Sequence, residues 1–204
     1  MTSEQIQARV AGNFKGAEAL NYDPKEYKTE TGVPYFKVSP DRLHAFCQFL
    51  RDDSELRFDA LMSMTAVDFL PQKAKKPKPG EPTELPGKIF LVYHFYSMKQ
   101  GHRLVLKVED LPRAGAKVLS VSDLWPTANW HERECYDFFG VVFEGHPDLR
   151  RILLPEDWEG FPMLKDYDPK IIQNRWQRLN LGPDVEDMGP DAPLTDGRPL
   201  SEIR

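Results

Sequence analysis

The sequence predicts an α+β fold: a mainly antiparallel sheet with helices on one face, followed by an extended C-terminal arm. Three observations predict it. Residues 56–66, 88–98 and 102–110 carry strand patterning. Residues 41–51 carry a single apolar stripe at helical spacing. Prolines number 18 in 204 residues, against a usual share of about 5%. Proline has no N–H for a ladder and breaks helix interiors, so much of the chain is expected to be extended or looping.

Residues 1–31 have mixed character, broken at Tyr22, Asp23, Pro24 and Gly32. "VPYFKVS" (33–39) reads as a short strand. Ser39 and Pro40 then offer an N-cap and a first-turn proline. Leu43, Phe46, Cys47 and Leu50 follow at i, i+3, i+4 and i+7, a helix over 41–51. In 56–66, Leu56, Phe58, Ala60, Met62, Met64 and Ala66 alternate with mainly polar residues, which predicts a half-buried strand. "KIFLVYHFYSM" (88–98) is rich in β-branched and aromatic residues, and "HRLVLKVED" (102–110) alternates again. The link Met98–Gly101 suits a hairpin. The segment 71–87, with five prolines and four lysines, reads as a solvated surface loop. The face of the sheet away from the helices would need cover. From 111 the pattern turns irregular, with helical pieces. Residues 181–204, with four prolines, three glycines and four aspartates, cannot bury a core of their own. The chain therefore divides into an α+β domain (1–118), a segment 119–168, and an extended tail (169–204).

Composition excludes several functions. Hydrophobic residues make up 40% and charged residues 29%, as in a soluble globular protein. A net charge of −5 lacks the basic footprint of a nucleic-acid binder, so no nucleic-acid partner is expected. No window approaches the ~18 apolar residues of a membrane span. The start, "MTSEQIQARVAGNFKG", lacks the apolar core of a secretory signal, and the chain is expected to stay on the cytoplasmic side. Cys47 and Cys135 are far apart, so neither a disulfide framework nor an iron–sulfur cluster held by this chain is expected.

The stretch "NWHERECYDFFG" (129–140) looks most like chemistry. "HEREC" approaches the zincin pattern, with His131 and Cys135 at i, i+4 as ligands and His146 as a third, which would make a zinc hydrolase. Cys135 and His131 could instead form a nucleophilic pair, but no glycine-rich turn precedes Cys135 to build an oxyanion hole. A carboxylate pair drawn from Glu132, Glu134 and Asp137 is a third option. A structural reading uses more of the residues. On a helix over 128–139, Trp130, Glu134 and Asp137 share a side, and Arg133 lies four residues from Asp137. Gly140 fits a helix stop before the strand-like "VVF". Arg150 and Arg151 follow in "HPDLRRILL". The arginine fork matches a carboxylate in two-bonded geometry, so Arg150 or Arg151 is expected to return to Glu132, Glu134 or Asp137.

These residues resemble a family. "ERECYDFFGVVFEGHPDLRRIL" (132–153) is similar to the signature of the 30 kDa subunit of respiratory NADH dehydrogenase, the NADH-quinone oxidoreductase or complex I of bacteria. The matching positions are Glu132, Arg133, Glu134, Asp137, Phe138, Phe139, His146, Arg150, Ile152 and Leu153. "LWPTANW" (124–130) and "LPEDWEGFPMLKDY" (154–167) resemble the flanking segments, with Trp158, Lys165 and Asp166 among them. Leu164 stands where the family pattern has arginine. The resemblance implies a non-catalytic structural subunit with no cofactor of its own. It implies packing in the hydrophilic arm against the large quinone-site subunit and cluster-bearing subunits, peripheral to the cytoplasmic side of the bacterial inner membrane. Related subunits occur in membrane-bound hydrogenase-type complexes. Trp130, Glu132, Arg133, Glu134, Asp137, His146, Arg150, Arg151, Trp158, Lys165 and Asp166 are then interface or latch residues.

Overall fold

The computed structural model describes residues 1–20, 33–73 and 84–168. Met1–Lys165 form one compact unit; the second, Asp166–Arg204, is described only as far as Asp168, so the tail expected over 169–204 lies outside the described residues. The same holds for the middle of the lysine-rich loop, residues 74–83.

The first unit is the expected α+β fold. Helix α1 (Ser3–Asn13) starts at a capping box in which the Gln5 N–H donates to the Thr2 hydroxyl and the Thr2 N–H donates to the Gln5 side chain. It buries only Ile6 and Val10, too sparse a stripe to show in the patterning of residues 1–31. Strand β1 (Ala17–Leu20) follows, antiparallel to β2 (Tyr35–Val38). A 3-10 turn, Pro40–Arg42, leads into α2 (Leu43–Asp52), which buries Leu43, Phe46, Cys47 and Leu50 as the spacing requires.

Strand β3 is Ala60–Phe69 rather than 56–66. The Asp53 side chain accepts from the Glu55 and Leu56 N–H groups, and Arg57 sits at φ +41°, so 53–58 is a turn that still buries Leu56 and Phe58. A bulge between Leu61 and Ser63 then breaks the alternation. Met62, expected inside, is exposed, while Met64, Ala66 and Asp68 point inward.

Strands β4 (Gln72–Lys73) and β5 (Glu84–Leu85) close the base of the lysine-rich loop. Strand β6 (Lys88–Tyr96) buries Ile89, Leu91, Tyr93 and Phe95 on one face. The hairpin into β7 (Arg103–Pro112) turns at Gly101, φ +68°, as the link 98–101 predicts. The sheet order is β1-β2-β7-β6-β3, antiparallel except where β2 runs parallel to β7. A parallel pair, β8 (Lys117–Leu119) and β9 (Val142–Glu144), flanks α3 (Ala128–Phe139) in a stretch where the sequence shows no strand pattern at 117–119.

The helices share one face of the sheet. Phe46 of α2 meets Phe36 of β2, and Cys47 of α2 and Cys135 of α3 are buried in the same core as Tyr93. Trp125, just before α3, packs on Phe95 and donates its Nε1–H to the Phe58 carbonyl. Strand β3 is an edge of the sheet, and α3 lies along it. Thr127 donates its hydroxyl hydrogen to the Leu61 carbonyl, and the Ala66 N–H donates to the Cys135 sulfur. Edge groups that would otherwise template another strand are so satisfied. The opposite face carries half-exposed Tyr35, Val92 and Tyr96 beside His94 and Arg103. Among the described residues no helix is long and apolar enough to cross a membrane.

Candidate docking site

Helix α3 ends as its sequence dictates. Gly140 takes φ +76°, a left-handed conformation that suits glycine, and its N–H closes on the Tyr136 carbonyl. A Cβ at Gly140 would lie 2.5 Å from the Phe161 ring. Gly140→Ala is expected to cost about 2 kcal/mol from the backbone alone, with the displaced Phe161 adding to it. A chemical-denaturation midpoint within error of wild type would contradict this close approach.

Beyond β9 the chain runs from 145 to 165 with no regular strand or helix, yet it is pinned. The anchor of this ribbon is Asp137. Its Oδ2 accepts from the N–H groups of Ile152 (3.1 Å), Leu153 (2.8 Å) and Leu154 (2.9 Å). Its Oδ1 accepts from Arg151 Nη1 at 2.8 Å. The Asp137 side chain is fully buried. Burial alone would raise its carboxyl, but the three amides and Arg151 outweigh it and hold the carboxyl below its usual value. Arg151 in turn donates to the carbonyls of Asp137, Trp158 and Gly160 and covers the Phe161 ring at 5.5 Å. The expected return of an arginine to the acidic helix is thus Arg151 to Asp137.

A second anchor holds the far end of the ribbon. Asp68 of β3, 3% exposed, accepts two bonds from Arg113 (Nε 2.6 Å, Nη2 2.8 Å) and one from the Lys165 N–H (2.8 Å). The Lys165 ammonium lies over the Phe69 ring. Leu164, in place of the arginine of the family pattern, packs against the core. Asp68 and Arg113 were not among the expected site residues. The signal was an acid in the inward phase of a strand, visible only if β3 is carried past Ala66.

Glu132 does not meet an arginine. It is fully buried and accepts from the Ser120 hydroxyl (2.6 Å) and the Val121 N–H (2.7 Å). His146, its side chain also buried, lies 4.0 Å away. The His146 Nδ1 accepts from the Asp148 N–H and its Nε2 donates to the Asn129 carbonyl, so its ring nitrogens are already used. Burial pushes the Glu132 carboxyl up to about 7, against the pull of Ser120 and Val121. Because the folded value lies above the unfolded one, this group favours the fold most below about pH 4.5. That stability is lost as pH rises to about 7, on the order of 3 kcal/mol in all. Glu132→Gln should therefore gain on wild type between pH 5 and 7.5 in urea titrations. A wild-type-to-Gln stability difference that does not change with pH would rule out a protonated Glu132.

The remaining candidates divide by helix geometry. Trp130, Arg133, Glu134 and Asp137 lie on one side of α3. The ribbon covers Arg133 and Asp137 and leaves Trp130 and Glu134 exposed. Arg133 does not pair with Asp137, four residues on; it donates to the carbonyls of Arg150 (3.2 Å) and Arg151 (3.3 Å) beneath the Trp130 ring. Arg150 bonds Asp148, and both side chains are exposed. Trp158 is half-buried and gives its carbonyl to Arg151. Asp166 falls in the second unit.

The three chemical readings do not survive. Among the described residues no group of three or more His, Cys, Asp or Glu side chains could hold a metal, so His131, Cys135 and His146 do not converge on one. Cys135 is buried, and burial pushes its thiol up to about 12, which leaves almost no thiolate to act as a nucleophile at neutral pH. Glu132 and Asp137 are sealed from solvent by the contacts above, which leaves no exposed carboxylate pair among the three acids of α3.

Residues 36–171 match the family described as "Respiratory-chain NADH dehydrogenase, 30 Kd subunit". The chain belongs to this family. Similar proteins include an NADH-quinone oxidoreductase subunit of Chlorobium phaeobacteroides, 43% identical over 81% of this chain and 92% of its own. An NADH-quinone oxidoreductase subunit of Rhizobium meliloti is 40% identical over 78% of this chain and 75% of its own. Another, from Chloroherpeton thalassium, is 40% identical over 66% of this chain and is matched over 50% of its length. Among solved structures, a chain in the membrane-bound sulfane sulfur reductase, an archaeal respiratory membrane complex, superposes with a TM-score of 0.63 at 25% identity, covering 91% of this chain and 98% of that one. The 30 kDa subunit signature thus falls on α3 and the ribbon, and much of its charge is spent inside the fold.

Proposed function

We propose that this chain is a structural subunit of the peripheral arm of a proton-translocating NADH:quinone oxidoreductase, with no reacting group of its own. It docks against the large quinone-site subunit and cluster-bearing neighbours, on the cytoplasmic side of a bacterial inner membrane that it reaches only through the complex. The observation that carries this reading is the ribbon. Two buried aspartates freeze irregular backbone into one shape, and that shape presents large apolar side chains to solvent, Leu153 and Met163, while α3 exposes Trp130. Exposed aromatic and aliphatic groups on a pre-ordered surface are how an interface limits the entropy lost on binding. A second reading, the equivalent subunit of a sulfur-reducing or hydrogenase-type membrane complex, is favoured by the likeness to a chain of the archaeal reductase complex.

The test is what accompanies the tagged chain from native membranes in mild detergent. Recovery with a flavin- and cluster-containing NADH oxidase fits the first reading, and recovery with a hydrogenase or sulfur reductase fits the second. A free monomer sinks both.

A further inference from the structure

Among the described residues Arg133 makes no salt bridge, and its charge is met only at a distance by Asp148, which Arg150 already holds. Arg133 is 7% exposed. Its Nε and Nη2 donate to two backbone carbonyls, and among the described residues no carboxylate lies within salt-bridge distance of it. The nearby acids are engaged elsewhere: Asp137 with Arg151 and three amides, Asp148 with Arg150. Among the described residues the Nη1 nitrogen of Arg133 makes no hydrogen bond and is not one of the sealed, unpartnered side-chain atoms, so the guanidinium reaches the surface there. Two large exposed side chains belong to the same helix and ribbon. Trp130, 60% exposed, lies with its ring 5.4 Å from the guanidinium, and Leu153, 61% exposed, lies two residues beyond the Arg151 carbonyl that Arg133 holds.

We propose that Trp130, Arg133 and Leu153 form a receptor for an acidic side chain of a neighbouring subunit. The carboxylate meets Nη1 of Arg133, and an adjoining apolar side chain of the same partner lies across Trp130 and Leu153. This rests on the reading of the chain as a subunit of a redox complex and names the chemistry of one contact within it. Most of the guanidinium is already out of water, so pairing adds little desolvation and takes place where attraction is strong. A free small carboxylate would leave both apolar groups wet, whereas a protein segment covers them along with the charge.

The experiment replaces Leu153, Trp130 or, as a control on the open sheet face, Met62 by photoreactive p-benzoylphenylalanine in cells that make the whole complex. Crosslinked peptides are mapped by mass spectrometry. The expected result is that positions 153 and 130 reach the same segment of one other subunit, with an Asp or Glu in it. Changing that acid to Lys should then lower recovery of the complex on this chain about tenfold, in keeping with loss of a desolvated charge pair. A contacted segment without an acid, or an acid-to-Lys change that leaves recovery intact, overturns the receptor. So do probes at 153 and 130 that reach no other subunit while the chain still co-purifies with the complex; the subunit reading stands in that case. A chain that co-purifies with no complex at all, even without a probe, removes both.

Discussion

Asp137→Ala is expected to lower stability by about 3–5 kcal/mol, the cost of stranding a buried ionic partner. The carboxylate gathers three backbone amides and one arginine. Its removal leaves the amides of 152–154 without acceptors and Arg151 without its counter-charge. Asp137→Asn should recover only part of the loss, since the amide keeps one acceptor oxygen and no charge. Urea titration measures the change as a drop in midpoint with an unchanged slope. A stability within about 0.5 kcal/mol of wild type, the range of ordinary surface changes, would show that Asp137 is not the anchor.

A loss of similar size, again about 3–5 kcal/mol, is expected for Asp68→Ala. This aspartate takes both prongs of Arg113 and the Lys165 N–H, which fastens the end of the first unit to the edge strand. Asp68 and Asp137 hold different stretches of the ribbon through different arginines and different amides. The two substitutions should therefore add within about 0.5 kcal/mol in a double variant. Strong non-additivity would mean that the ribbon detaches as one piece once either end is freed. Proteolysis between 145 and 165 should also become faster in Asp68→Ala, because unpinned irregular backbone is what proteases cut.

Local patterns were legible in the sequence where the signal is local. Helix α3 and its Gly140 stop follow from composition and spacing over a dozen residues. So do α2 and strand β6. The pairing of Asp137 with an arginine a short loop away was also legible, because that loop limits which partners can reach. Other features depend on distant chain. Asp68 finds Arg113 45 residues on and Lys165 97 residues on, distances over which no periodicity speaks. The β3 bulge moved Met62 outward, and Asp68 was missed because the expected strand stopped at Ala66. Glu132 is one of three acids to which the sequence offers an arginine, yet its partners are a hydroxyl and an amide, which charge counting does not see. Arg133 likewise went to carbonyls. Charge patterns in a sequence thus suggest which groups are buried, but not which atoms they meet.

The central claim is that buried charges order the ribbon before any partner arrives. Hydrogen exchange on the isolated chain tests it most directly. The amides of Ile152, Leu153, Leu154 and Lys165 should be protected to a degree comparable with the amides of α3, because each donates to a buried carboxylate. Exchange of these four amides at the rates of an open loop, with α3 still protected, would contradict it and make the ribbon a segment that orders only on binding.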